Sequence, residues 1–178
     1  MKYLSAITLA AAIALASPAR ALPTLGSARP EVRLVDAWDR TLAVTRAANK
    51  PILVVYEDKD SATQNKPLKD ELAQLAKGDR YKKAITLLAI ADVAGYDYWP
   101  VRGFVKDAIQ GESQKFGTVI YCDWDLSAAR AFNVRRGVSN IVLYSRDGKV
   151  LLAHEGAMPA EKRAELIAML RAQVGESS

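Results

Sequence analysis

The apolar run Ile52-Leu53-Val54-Val55-Tyr56, launched by Lys50-Pro51, constrains the fold of this chain more than any other feature. It shows no polar alternation, so it suits a central strand buried on both faces. The rest of the chain alternates in kind. Leu68, Leu72 and Leu75 fall at i, i+4 and i+7 of a helix, with Asn65 as its cap and Gly78 as its stop. Residues 84–91 read as a second buried strand. Pro100 then starts a helix whose stripe is Val101, Phe104, Val105, Ala108 and Ile109. A strand at 118–121 ends beside Cys122, and Asp125 or Ser127 caps a short helix carrying Ala128, Ala131 and Phe132.

Strands at 138–144 and 149–153 flank Ser145-Arg146-Asp147-Gly148, where Asp-Gly signals a hairpin. Pro159 opens a last helix with Ile167, Leu170 and Val174 on one face, ended by Gly175. Near the N-terminus, 31–34 and 41–44 flank a turn-rich 36–40 and predict a β-hairpin. The order predicts an α/β sandwich: a central mixed sheet flanked by helices, with an N-terminal β-hairpin.

Met1-Lys2, the apolar stretch from Leu4 to Ala16, Pro18 and Ala19-Arg20-Ala21 read as a cleaved signal peptide over 1–21. The stretch is too short for a comfortable membrane span, and no second one follows. The expectation is a periplasmic or secreted domain over 22–178, without stable membrane insertion. Loss of Lys2 and Arg20 leaves 23 of 25 basic residues against 20 acidic ones, and net +5 becomes +3. No basic run has the density of a nucleic-acid arm, so a nucleic-acid partner is not expected. Cys122 is the single cysteine, which forbids an intramolecular disulfide.

Several stretches resemble the thioredoxin-like superfamily. The 52–56 strand, the polar loop after it and the Leu68–Leu75 helix resemble its first βα unit. Asp123-Trp124-Asp125, then Ala128-x-x-Ala131-Phe132-x-Val134-x-x-Gly137-Val138, and the stretch 142–150 resemble the redoxin or peroxiredoxin-like branch. Ser61-Ala62, an Asp79-Arg80-Tyr81 turn and Gly156-Ala157 look similar to the YtfJ-type exported proteins. The resemblance implies a thioredoxin-like sandwich. It also implies a site at two positions where this chain departs from the family. The expected Cys-x-x-Cys turn is replaced by Asp60-Ser61-Ala62-Thr63-Gln64-Asn65, and the expected proline opposite it by Ser139. Thiol–disulfide exchange needs an attacking thiolate and a resolving thiol, and a serine hydroxyl replaces neither.

Each candidate site has a plain structural alternative. Cys122 is either a packed, inert thiol or the nucleophile of a one-cysteine redox enzyme that relies on an external thiol. Asp123 beside it is expected to raise the thiol pKa by like-charge repulsion. Glu57, Asp58, Asp60, Asp92, Asp97, Asp123 and Asp125 all follow predicted strands. They gather at one sheet edge if those strands run parallel, but such residues also serve as ordinary caps and turns. Tyr96, Tyr98 and Trp99 form an aromatic loop with Arg102 one turn into the next helix. That is either a binding surface or a cover over one end of the core, and Trp99 is expected in the core. His154, the single histidine, lacks the serine-elbow motif a hydrolase triad would bring.

The expectation is therefore an exported accessory protein without dithiol chemistry, cofactor or metal, monomeric, and binding an unidentified protein or small molecule. Its contact residues are expected to be Ser61, Thr63, Tyr96, Tyr98, Arg102 and Asn140.

Overall fold

The run at 52–56 lies at the centre of a five-stranded sheet in a computed structural model that describes residues 22–45 and 49–176. The segment read as a signal peptide lies outside the described residues. In chain order the elements are β1 (Val32–Val35), β2 (Thr41–Val44), β3 (Ile52–Glu57), α1 (Lys66–Leu75), α2 (Asp79–Ala84), β4 (Thr86–Asp92), α3 (Val101–Phe116), β5 (Ile120–Asp123), α4 (Ser127–Phe132), β6 (Asn140–Tyr144), β7 (Val150–Glu155) and α5 (Ala160–Gln173). The main sheet has the order β5-β4-β3-β6-β7. β3 runs parallel to β4, and β4 to β5, whereas β6 and β7 join antiparallel. The expected mixed sheet and N-terminal hairpin are both present.

Every residue of β3 is buried, as its unbroken apolar pattern requires. Ile52, Val54 and Tyr56 face one layer, in which Leu88, Val142 and Tyr144 pack against Leu34 and Val44 of the hairpin and Phe132 of α4. Leu53 and Val55 face the other, with Leu68 of α1 and Leu166 and Leu170 of α5. Full burial of each such side chain contributes roughly 1.5–3 kcal/mol. The hairpin is closed by Asp36, whose carboxylate accepts the Trp38 and Arg40 amides at 2.8 and 3.0 Å. It also pairs with the Arg40 guanidinium at 2.7 Å. The Asp-Gly hairpin forms as expected, with Gly148 at φ 77° and its amide on the Ser145 carbonyl at 3.0 Å.

Three expectations need correction. Asp79-Arg80-Tyr81 is not a turn but the start of α2, with Asp79 in its first turn and Lys82 and Lys83 in its last. That charge order suits the helix dipole. β4 accordingly starts at Thr86 instead of residue 84. The stripe on α3 is also narrower than its sequence suggests. Val105 and Ile109 reach a small cluster of Ala37, Val93 and Cys122, and the inward line ends at the buried Ser113. Phe104, one residue off that line, is left 70% exposed. No helix among the described residues is long and apolar enough to cross a membrane.

Candidate functional site

Because β3, β4 and β5 are parallel, their C-terminal ends share one edge of the sheet. Asp92 and Asp123 are register partners there, and Glu57 lies opposite Ala91. Glu57, Asp92 and Asp123 of the expected carboxylates thus share this edge, and each of these three is engaged by its own neighbours. Asp123 accepts the Tyr56 hydroxyl at 3.0 Å and the Ala128 and Ala129 amides at 3.1 and 2.9 Å, which caps α4. Asp92 is held by the Arg136 guanidinium through two contacts, at 2.5 and 3.1 Å. Burial, together with the nearby Asp123 and Asp92, pushes the Tyr56 phenol far above its ordinary value. Among the described residues no three Cys, His, Asp or Glu side chains come together as a metal would need.

The stretch 60–65 and Ser139, singled out in the sequence by the resemblance, come into contact. Ser139 is fully buried, and its hydroxyl donates to Glu57 Oε1 at 2.7 Å. Ser139 Oγ in turn accepts from Asn65 Nδ2 at 2.8 Å, and the Ser139 amide donates to Gln64 Oε1 at 2.9 Å. Asn65 does not cap α1 with its side chain. It turns inward instead, donating to the Gly156 carbonyl at 2.9 Å and accepting the Met158 amide at 2.7 Å. Lys69 closes the group on Glu57 Oε2 and on the Ala62 carbonyl. The ends of β3 and β7 and the starts of α1, β6 and α5 are thus pinned by one buried polar network. Its members satisfy one another, which is the condition for such a network to stabilise a fold.

Of the six expected contact residues, two turn inward. Ser61 is fully buried, and its hydroxyl donates to Asp58 Oδ1 at 2.6 Å while accepting the Asp58 amide at 2.9 Å. Burial alone would raise the Asp58 pKa, but the hydrogen bonds from Ser61 outweigh it and hold that carboxyl below its ordinary value. Asn140 is also fully buried and braces the preceding loop, donating to the Arg135 and Val138 carbonyls and accepting the Arg135 amide. Their polarity serves loop geometry, so they offer no free donor to a ligand. Thr63 is exposed, and so are Tyr96 and Tyr98, at 37% and 58%. Arg102 is ion-paired with Asp97 and lies 4.4 Å over the Trp124 ring.

Trp99 is not a core residue: it is 91% exposed. It precedes Pro100 in the connection into α3, and α3 turns only its Val105 and Ile109 line inward. The aromatic residues ahead of that line therefore stay in solvent with Phe104.

Cys122 is buried among Ala37, Val93, Val105, Ile109 and Trp124. Burial, with Asp36 nearby, pushes its thiol up to about 11. Asp36, and not Asp123, is the like charge. Adjacent strand residues point to opposite faces, and the Asp123 carboxylate turns to Tyr56 and α4. His154 Nε2 lies 3.2 Å from the Ala157 carbonyl and completes no triad with Ser139. Sequence reading missed the Glu57–Ser139 bond, whose partners stand 82 residues apart. The only trace was one polar residue ending β3 and another just before β6.

No protein-family model and no curated protein sequence matches the chain. Solved structures do. A protein from Chlorobium tepidum assigned as the thiol:disulfide interchange protein DsbE aligns at TM-score 0.58 and 19% identity, over 85% of this chain and 99% of its own. The exposed lipoprotein thioredoxin of Streptococcus pneumoniae aligns at 0.57 and 17%, over 80% and 98%. The bacterioferritin comigratory protein of Xanthomonas campestris, described with alkyl peroxide reduction activity, aligns at 0.57 and 19%, over 80% and 92%. Identities this low establish a shared fold, and that fold is thioredoxin-like.

Proposed function

We propose that this thioredoxin-like fold serves an exported accessory protein that binds a partner and performs no dithiol chemistry. The observation that carries the reading is Ser139. It stands where the family resemblance expects a proline, and its hydroxyl is buried between Glu57 and Asn65. Both serine hydroxyls at this position are buried and already bonded, Ser139 to Glu57 and Ser61 to Asp58, and the chain's single cysteine lies elsewhere, at 122. The binding surface lies beside it, on the connection from β4 to α3, where Tyr98, Trp99 and Phe104 are exposed. Aromatic side chains of this size favour the centre of protein interfaces. Export rests on the 1–21 segment and agrees with a neighbour that is itself an exposed lipoprotein. The one-cysteine alternative is disfavoured by a buried thiol that stays protonated at neutral pH.

Two assays test the reading. Purified protein should neither reduce insulin disulfides nor consume alkyl peroxide above the Cys122→Ser background. Turnover that disappears with Cys122→Ser would instead establish the thiol enzyme. A photo-crosslinking residue at position 99 should capture a discrete partner in the exported fraction. The same residue at the exposed position 146 should not.

A further inference from the structure

At the opposite, N-terminal end of the parallel strands lies a surface cavity of about 250 Å³. Leu53 and Leu87, register partners on β3 and β4, form its sheet side. Leu72, Leu75, Ile85 and Leu170 supply apolar walls. The cavity has a structural cause. α1 and α5 cover β3, and the inward line of α3 covers the far half of β4 and β5 near Ala91 and Cys122. Between these layers Leu87 stays 38% exposed although β4 is an interior strand.

Lys82 is the one charged residue among the described residues lining the cavity. Lys82 lines the cavity and has no ion pair or hydrogen bond among the described residues. Its neighbour Lys83 is paired with Asp79, and Glu176, bonded to the lining residue Tyr81, is paired with Arg80. An apolar space with one uncommitted cation at its mouth matches an apolar chain with an anionic head. The volume matches a short single chain of about eight groups of methylene size, at roughly 30 Å³ each.

We propose that this cavity binds a medium-chain carboxylate, its chain on Leu53 and Leu87 and its head on Lys82. Calorimetric titration of the purified protein with straight-chain carboxylates tests this. Octanoate should bind one to one, and affinity should rise about fourfold per methylene from butanoate upward, then level off when the cavity is full. Lys82→Gln should weaken octanoate about tenfold while leaving octanol unchanged, because only the charged contact is lost. Leu87→Trp fills the space and should abolish binding of both. Arg130→Glu, on α4 against the other face of the sheet, should change neither. Absence of saturable octanoate binding, undiminished binding to Leu87→Trp, or octylammonium binding as tightly as octanoate would each overturn the proposal. Lys82 is exposed, so its variant reports on the ligand even if the Leu87 variant folds poorly.

Discussion

Two regions at the C-terminal edge of the sheet differ in what their side chains have left to offer. Around Ser139, buried polar groups are matched to one another: Glu57 to Lys69 and the Ser139 hydroxyl, Asn65 to three partners, Gln64 to the Ser139 amide. Along the 96–104 connection, large aromatic surface stands in solvent, with Trp99 at 91% and Phe104 at 70%. The first region has the chemistry of a staple and the second that of a contact. Hydrogen-bonding groups that are already satisfied indoors cannot discriminate ligands, whereas exposed rings gain free energy only when something covers them.

The largest effect should come from breaking the staple. Asn65→Ala removes three hydrogen bonds and strands the Met158 amide and Gly156 carbonyl, so it should cost about 3 kcal/mol. Ser139→Ala should cost about 2 kcal/mol, because Glu57 and Asn65 each lose a partner. Urea unfolding measures both, and losses below about 0.5 kcal/mol would mean the network is incidental.

Titration of the buried thiol sharpens the comparison from the side of burial. Native Cys122 should resist thiol reagents through neutral pH and react only as pH approaches about 11, whereas the denatured chain reacts near the ordinary value of 9.0. The folded state binds the proton more tightly, so this group's contribution to stability is complete below about pH 9. It is lost as pH rises toward about 11. Asp58 acts with the opposite sign: its depressed pKa adds stability above the ordinary carboxylate range, and that contribution disappears as acid protonates it. Rapid native labelling at pH 7 would place Cys122 among reactive thiols.

The smallest effect on stability belongs to the contact region. Trp99→Ala should leave the unfolding midpoint within the change expected of about 0.5 kcal/mol, because the ring is already in water. It should nevertheless remove partner capture. A large loss of stability would return Trp99 to the core and reverse the distinction between the two regions.

Much of this was legible locally. An apolar run without alternation meant a doubly covered strand, Asp147-Gly148 meant a hairpin, and the departures at 60–65 and 139 pointed to one place in the fold, where Asn65 and Ser139 do meet. Other readings failed where local pattern underdetermines packing. Asn65 looks like a cap from its position, but the Met158 amide and Gly156 carbonyl, more than 90 residues away, claim its side chain. Trp99 looks like core from its size, but the pitch of α3 aims Val105 and Ile109 inward and leaves the preceding rings behind.

The sequence by itself determined the layers, the order of the strands and of every helix but α2, and the absence of a thiol pair, because periodicity and cysteine count are properties of the chain alone. Only the tertiary structure decided which polar residues face each other across the sheet edge and which apolar ones lack a neighbour. Those outcomes depend on distances between residues far apart in the chain. A serine is the same letter whether its hydroxyl meets water or, as at Ser139, the carboxylate of Glu57.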